Sequence, residues 1–229
     1  MDARPVIIAL DYDDIQLAKQ FVKQLNPENC RLKVGKEMFT LFGPDWVKYL
    51  VDLGFDVFLD LKFHDIPNTV AKAITAAAKL KVWMVNVHAS GGHEMIKAAK
   101  HACLASESKP LLTAVTILTS MDKAQFVPIY GQQDIAKKVL DLATIANQSG
   151  ADGVVCSAQE ASLLRENFNQ QFKLVTPGIR PVGSDVGDQK RITTPAKAKL
   201  LGVDFMVIGR PITQASDPVN ALNQILQSL

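Results

Sequence analysis

The chain has 229 residues, 25 Lys plus Arg against 23 Asp plus Glu, and 48% hydrophobic residues. A chain of this length and apolar content buries a sizeable core without disulfides or metals, and its composition excludes a disordered protein. With a net charge of +2 and no long Lys/Arg run, no nucleic-acid-binding surface is expected.

Cys30, Cys103 and Cys156 are odd in number, widely spaced and form no C-x-x-C. They read as reduced structural thiols of a reducing cytosol. The apolar run at residues 6–10 is too short for a signal-peptide core, and nothing approaches the ~18 apolar residues of a membrane span. The sequence therefore reads as cytoplasmic, with no membrane partner.

Short apolar runs alternate with longer amphipathic stretches along the chain. Strands are expected at 6–10, 31–34, 56–61, 82–87, 111–118, 153–156, 172–176 and 205–208. Asp13 followed by Gln16 reads as a capping box for the first helix. Thr194-Pro195 reads as an N-cap with proline at the first helical position. Gly54-Phe55-Asp56, Gly150-Ala151-Asp152 and Gly202-Val203-Asp204 each end a helix just before a strand, glycine entering the left-handed region cheaply. No Gly/Ser/Pro linker divides the chain, so residues 1–229 read as a single domain. Strand–helix alternation implies parallel strands with right-handed crossovers. Eight such units at this length favour an α/β fold of the (β/α)8 TIM barrel type over an open doubly wound sheet.

A barrel keeps its chemistry at the C-terminal ends of its strands. The first strand ends in Asp11, the second carries Lys33, and the third ends Asp60-Leu61-Lys62, with Asp65 beyond. The fourth ends Asn86-Val87-His88 and the fifth Thr119-Ser120. Side chains alternate with period two along a strand, so Val57, Leu59 and Leu61 cover the helix side. Phe58, Asp60 and Lys62 then point inward, and the same parity turns Asp11 and Lys33 inward. A salt-bridge network closing the barrel top is the bland alternative. So many charges at three strand ends are costly to assemble, however, and offer no more stability than an apolar plug. A lysine beside carboxylates is a positioned proton donor, and a carboxylate beside it repels an anionic substrate group. Both suit decarboxylation, in which carbon dioxide leaves and lysine protonates the carbanion.

The late strands run into Pro177-Gly178-Ile179-Arg180 and Gly209-Arg210. Barrels often hold a phosphate there, on glycine backbone N–H groups and a forked arginine. The segment 177–191 is long for a barrel loop and rich in Gly and Pro, which suggests a lid with Gln189 as a polar arm. His88 is expected to point inward and His93 outward, neither as a metal ligand. Trp83, Met84 and Phe205 read as packing. The common nucleotide-cofactor and serine-hydrolase signatures are absent.

Taken together these residues resemble the orotidine 5′-phosphate decarboxylase family over essentially the whole chain. The likeness rests on Ala9-Leu10-Asp11, Lys33-Val34-Gly35 and the specific run Asp60-Leu61-Lys62-Phe63-His64-Asp65-Ile66-Pro67-Asn68-Thr69. Later matches are Leu118-Thr119-Ser120, Pro177 to Pro181, Gly187-Asp188-Gln189 and Ile208-Gly209-Arg210-Pro211. Residues 121–132 offer no motif to match. The resemblance implies that Lys62 protonates C6 of the pyrimidine and that Asp60 lies near the departing carboxyl group. Lys33 would orient Asp60 and touch the ribose, and Asp11 would bind ribose hydroxyls. Thr119 and Ser120 would meet the pyrimidine edge, and Arg180, Gln189, Gly209 and Arg210 would hold the phosphate. Ile66 completes the substrate-contacting set. The family acts as a homodimer whose Asp65 and Thr69 counterparts reach into the partner's site, and it uses no metal or organic cofactor. Two other readings remain open at this point: a metal-dependent sugar-phosphate decarboxylase of the same superfamily, and a non-catalytic phosphoribosyl-ligand sensor.

Overall fold

The computed structural model describes residues 4–181 and 193–229. Eight parallel strands close into a barrel in chain order. They are β1 (Val6–Leu10), β2 (Arg31–Gly35), β3 (Val57–Phe63), β4 (Met84–His88), β5 (Leu111–Val115), β6 (Gly153–Val155), β7 (Lys173–Thr176) and β8 (Phe205–Ile208). The surrounding helices are α1 (Ile15–Val22), α2 (Lys36–Asp52), α3 (Pro67–Ala78), α4 (Gly92–Ala105) and α5 (Lys123–Tyr130). They continue with α6 (Ile135–Gln148), α7 (Ala161–Asn167), α8 (Pro195–Leu200), α9 (Arg210–Thr213) and α10 (Pro218–Gln227). The expected (β/α)8 barrel is the observed fold. Among the described residues no helix is long and apolar enough to cross a membrane.

Period-two alternation divides the apolar residues into two cores. Ile8, Leu10, Leu32, Val34, Val57, Leu59, Val85 and Val87 pack outward under the helices. Ile7, Ala9, Phe58, Met84, Val175, Phe205 and Val207 fill the barrel interior as a separate cluster. The interior closes at the N-terminal end around Arg31, whose guanidinium lies 4.2 Å from the Trp83 ring centre and 5.2 Å from that of Phe205. Aromatic faces attract a cation, so the charge is held within packing. The interior is thus plugged at the bottom and opens into a polar cavity at the top.

The repeated Gly-X-Asp units serve two purposes. Gly54, Gly150 and Gly202 take φ of 90°, 83° and 90°, the helix-ending conformation expected of them. The following aspartates then latch the N-terminal rim. Asp152 accepts from Leu112 N at 2.7 Å and from Lys100 Nζ at 2.6 Å. Asp204 accepts from Leu174 N at 2.8 Å and pairs with Arg165. Asp56 accepts from Arg4 at 2.6 Å and from Arg31 at 3.2 Å.

Several expected boundaries move. The first helix is capped by Asp14 rather than Asp13: its carboxylate accepts from Gln16 N at 2.6 Å and Leu17 N at 3.3 Å. Because the helix begins at Ile15, Asp14 is the last extended residue before it, and Asp13 is left to line the cavity above the barrel. Thr194 caps α8 as expected, accepting from Lys197 N at 3.3 Å. β5 stops at Val115 instead of running to residue 118. Its neighbours β4 and β6 end opposite it at His88 and Val155, so no ladder remains to pair with. β3 conversely runs on to Phe63. Residues 121–132 hold α5, capped by Asp122, which accepts from Gln125 N at 3.1 Å, and anchored by buried Phe126.

Candidate active site

The strands' C-terminal ends open into a cavity of about 680 Å³. Its floor is the top of the interior core, Ala9, Phe58, Val155 and Val207, and its walls carry the charges. Asp11, Lys33, Asp60 and Lys62 form a continuous chain across three strands. Lys62 Nζ donates to Asp60 Oδ1 at 2.6 Å, Lys33 Nζ stands 3.5 Å from Asp60 Oδ2, and Lys33 Nζ lies 3.8 Å from Asp11 Oδ1. All four side chains line the cavity, on the inward side expected of them. Burial alone would raise the Asp60 pKa; Lys33 and Lys62, with hydrogen bonds from Lys62 and Asn86, outweigh it and hold the carboxyl below its ordinary value. Asp60 is thus a carboxylate at neutral pH, in a setting where its charge is poorly screened.

The backbone beneath this chain is irregular. Phe58 pairs with Met84 and Leu59 with Val85, but the next partners are Phe63 and Val87, so β3 carries extra residues opposite Asn86. Lys62 sits in that bulge at φ 54°. A left-handed conformation costs a non-glycine residue about 1–2 kcal/mol, and bulges commonly re-aim a side chain next to a site. Asn86 spans the gap. Its Oδ1 accepts from Lys62 N at 2.8 Å, and its Nδ2 donates to Asp60 Oδ1 at 2.7 Å. In the sequence Asn86 stands at the end of its strand without a charge to mark it. Strand parity is the signal that could have found it, since Val85 and Val87 face outward on either side.

His88 is half-buried at the end of β4, with its ring 5.5 Å from that of His64, and it is absent from the cavity lining. Burial lowers its pKa, helped by His64, Lys36 and Lys62 and opposed by Asp60. His93 is exposed, its Nδ1 2.9 Å from Ser149 Oγ. Among the described residues no three of His, Cys, Asp and Glu stand close enough together to hold a metal ion.

The opposite wall carries Thr119 and Ser120, and beyond them Gly178, Arg180, Gly209 and Arg210. Gly178 takes φ 78° and Arg180 is buried. The flanks of the long loop are tied to each other: Arg180 N donates to Thr193 O at 2.9 Å, and Thr193 N to Gly178 O at 3.3 Å. Gln189, with most of the expected lid, lies outside the described residues. Arg210 opens α9, the short extra helix after the eighth strand. Tyr12, Thr213 and Gln214 line this end too, and sequence reasoning missed them. Asp65, Ile66 and Thr69 are different. They stand exposed at the start of α3 and are absent from the cavity lining. The Asp65 carboxylate accepts from its neighbour, Ile66 N, at 2.7 Å.

Residues 4–225 match the model of the orotidine 5′-phosphate decarboxylase / HUMPS family. The chain belongs to this family. An orotidine 5′-phosphate decarboxylase of Pseudoalteromonas translucida is 62% identical over 99% of this chain and 97% of its own length. One of Vibrio cholerae is 57% identical over the full length of both chains. Among solved structures, an orotidine 5′-phosphate decarboxylase of Lactobacillus acidophilus superposes with a TM-score of 0.86 at 43% identity, covering 98% of each chain. The family match contains every strand of the barrel, so all the elements that build the cavity lie inside it.

Proposed function

We propose that this chain decarboxylates orotidine 5′-monophosphate to uridine 5′-monophosphate, the last step of pyrimidine nucleotide synthesis, with Lys62 as the proton donor. The observation that carries the reading is the Lys62–Asp60 pair at 2.6 Å on the cavity wall of a chain belonging to this family. In the reaction the bond between C6 and the carboxylate carbon breaks, carbon dioxide leaves, and the electron pair stays on C6. A proton moves from the Lys62 ammonium to C6, and the resulting amine regains a proton from solvent. Asp60 stands beside that donor, so the substrate's carboxylate enters against a fixed negative charge and departs as a neutral molecule. Lys62 supplies positive charge where negative charge develops, which is the electrostatic part of the catalysis. The step as written needs no metal or organic cofactor.

The remaining roles divide along the cavity. Lys33 holds Asp60 and reaches the ribose, Asp11 takes ribose hydroxyls, and Thr119 and Ser120 meet the pyrimidine. Arg180, Gly209 and Arg210 take the 5′-phosphate, where α9 begins; Gln189 is assigned to the same end on its sequence position. Phosphate binding far from C6 can be used to assemble the reacting geometry. Asp65, Ile66 and Thr69 serve the site of a second copy in an isologous homodimer. That reading is supported by the 67% exposure of Ile66, an apolar residue beside an acid that its own cavity does not use. The working location of such an enzyme is the cytoplasm.

The test is direct. Purified protein, dialysed against a strong chelator, is given orotidine 5′-monophosphate, and carbon dioxide and uridine 5′-monophosphate are measured together. Equal amounts of both are expected, at an unchanged rate after dialysis. Loss of activity restored by magnesium would favour a metal-dependent sugar-phosphate decarboxylase, and ligand binding without turnover would favour a sensor.

A further inference from the structure

We infer that Asn86 is the positioning residue of this site, a two-sided clamp that aims the Lys62 ammonium by holding both ends of the Asp60–Lys62 unit. The inference rests on the decarboxylation reading, since it assigns Asn86 to the same proton donor. Asn86 is fully buried on β4, one strand away from the groups it controls. It makes two bonds of opposite sense. One accepts the Lys62 backbone N–H at 2.8 Å, and the other donates to Asp60 Oδ1 at 2.7 Å. A flipped amide would set N–H against N–H and oxygen against carboxylate, so one orientation satisfies both partners.

The clamp replaces what the sheet gives up. Where β3 bulges, the β3–β4 ladder skips from Leu59–Val85 to Phe63–Val87. The Lys62 N–H would be left without a ladder acceptor, and the Asn86 side chain supplies one. Lys62 is held at φ 54° there, whereas the other non-glycine positive-φ residues among the described residues, Lys81 and Lys109, lie in the connections leading into β4 and β5. A strained conformation persists only where its surroundings over-determine it, and such residues cluster at functional sites. Asp60 Oδ1 receives both the Asn86 amide and the Lys62 ammonium, while Oδ2 faces Lys33. Asn86 therefore fixes the backbone from which Lys62 projects and the carboxylate on which its ammonium rests. An apolar residue at this position would fill space equally well but would fix neither.

Two substitutions separate positioning from simple packing. Asn86→Asp is nearly isosteric. Ionised, it keeps an acceptor for the Lys62 N–H but turns a second carboxylate on Asp60. Protonated, its O–H restores the donor, and its carbonyl oxygen keeps the acceptor. Around position 86 the charged or titratable groups are Asp60 and Lys62 on β3, Lys33 on β2 and His88 on β4, with Thr113 and Val115 presented by β5. Two carboxylates sharing a site push one pKa up. kcat of Asn86→Asp is therefore expected to rise as pH falls, along a profile the wild type lacks. Asn86→Ala inserts no charge and keeps the test open if the aspartate variant fails to fold. Small misplacements of a reacting group cost about 10²-fold, so its kcat is expected to drop by about that factor, with uridine 5′-monophosphate affinity changed only severalfold. Folded variants that keep wild-type kcat would overturn the clamp. So would a loss of kcat matched by an equal loss of nucleotide affinity, with no acid recovery in Asn86→Asp. A wild-type chain that releases no carbon dioxide would instead overturn the reaction itself, and the role of Asn86 with it.

Discussion

At the scale of single residues, the cavity depends on keeping Asp60 ionised in a buried place. Breaking a buried pair by removing one partner typically costs about 3–5 kcal/mol, because the other charge is stranded. The shift of Asp60 gives this a pH dependence whose sign is fixed. Its folded pKa lies below the unfolded value, so its stabilisation is present above the ordinary carboxylate range near ~4 and is lost as pH falls through the folded pKa. Chemical denaturation of wild type and Asp60→Asn across pH is the check. The difference between them is expected to be flat from pH ~6 to ~8 and to shrink in acid below ~4. A difference that grew in acid would contradict the assignment. Asp11, Lys33, Asp60 and Lys62 were legible from alternation alone, because charge on an inward face stands out against apolar neighbours. Asn86 follows the same alternation on β4, yet a neutral amide looks no different from an ordinary buried polar residue. Its importance comes from a bulge in the neighbouring strand, and no pattern within β4 announces that bulge.

At the scale of elements, the Gly-X-Asp repeat joins helix ends to strand starts. The glycine turn was legible because positive φ has a residue preference. The latch was not, since it needs a backbone N–H from a distant strand, in the case of Asp152 that of Leu112, 40 residues away. Asp152→Ala removes an acceptor from Leu112 N and a partner from Lys100. A buried group left unsatisfied costs about 1–3 kcal/mol, so urea unfolding is expected to show a loss of that size. The latch lies at the end of the barrel away from the cavity, so turnover per folded molecule should not change. Lost turnover with unaltered stability would mean that the rim communicates with the site. Element ends were the weakest part of the sequence reading for a related reason. β5 looks apolar through Leu118, but a strand ends where its neighbours stop offering hydrogen bonds.

At the scale of the whole molecule, the barrel concentrates its polar chemistry at one end and plugs the other with Arg31 between Trp83 and Phe205. Strand parity says nothing about Asp65, Ile66 and Thr69, which lie past the end of β3, and the role proposed for them depends on a second chain. Lys62→Ala and Asp65→Ala, unfolded together and refolded as a mixture, test it. In an isologous dimer with shared sites, each mixed dimer holds one site with both groups intact. Random pairing makes half the dimers mixed, so about a quarter of wild-type activity is expected to return. No recovery, with mixed dimers shown to form, would assign Asp65 to its own chain.

The claim on which the rest depends is that Lys62 delivers the proton to C6. It is tested by measuring turnover of orotidine 5′-monophosphate and binding of uridine 5′-monophosphate for wild type and Lys62→Ala side by side. A general acid is worth about 10²–10⁴-fold, and a charge aimed at the developing carbanion contributes about 10²–10³ more. The variant is expected to bind the product nucleotide while losing turnover by at least about 10⁴-fold. A folded Lys62→Ala that still turns over within about tenfold of wild type would contradict it, since a proton donor is worth at least about 10²-fold.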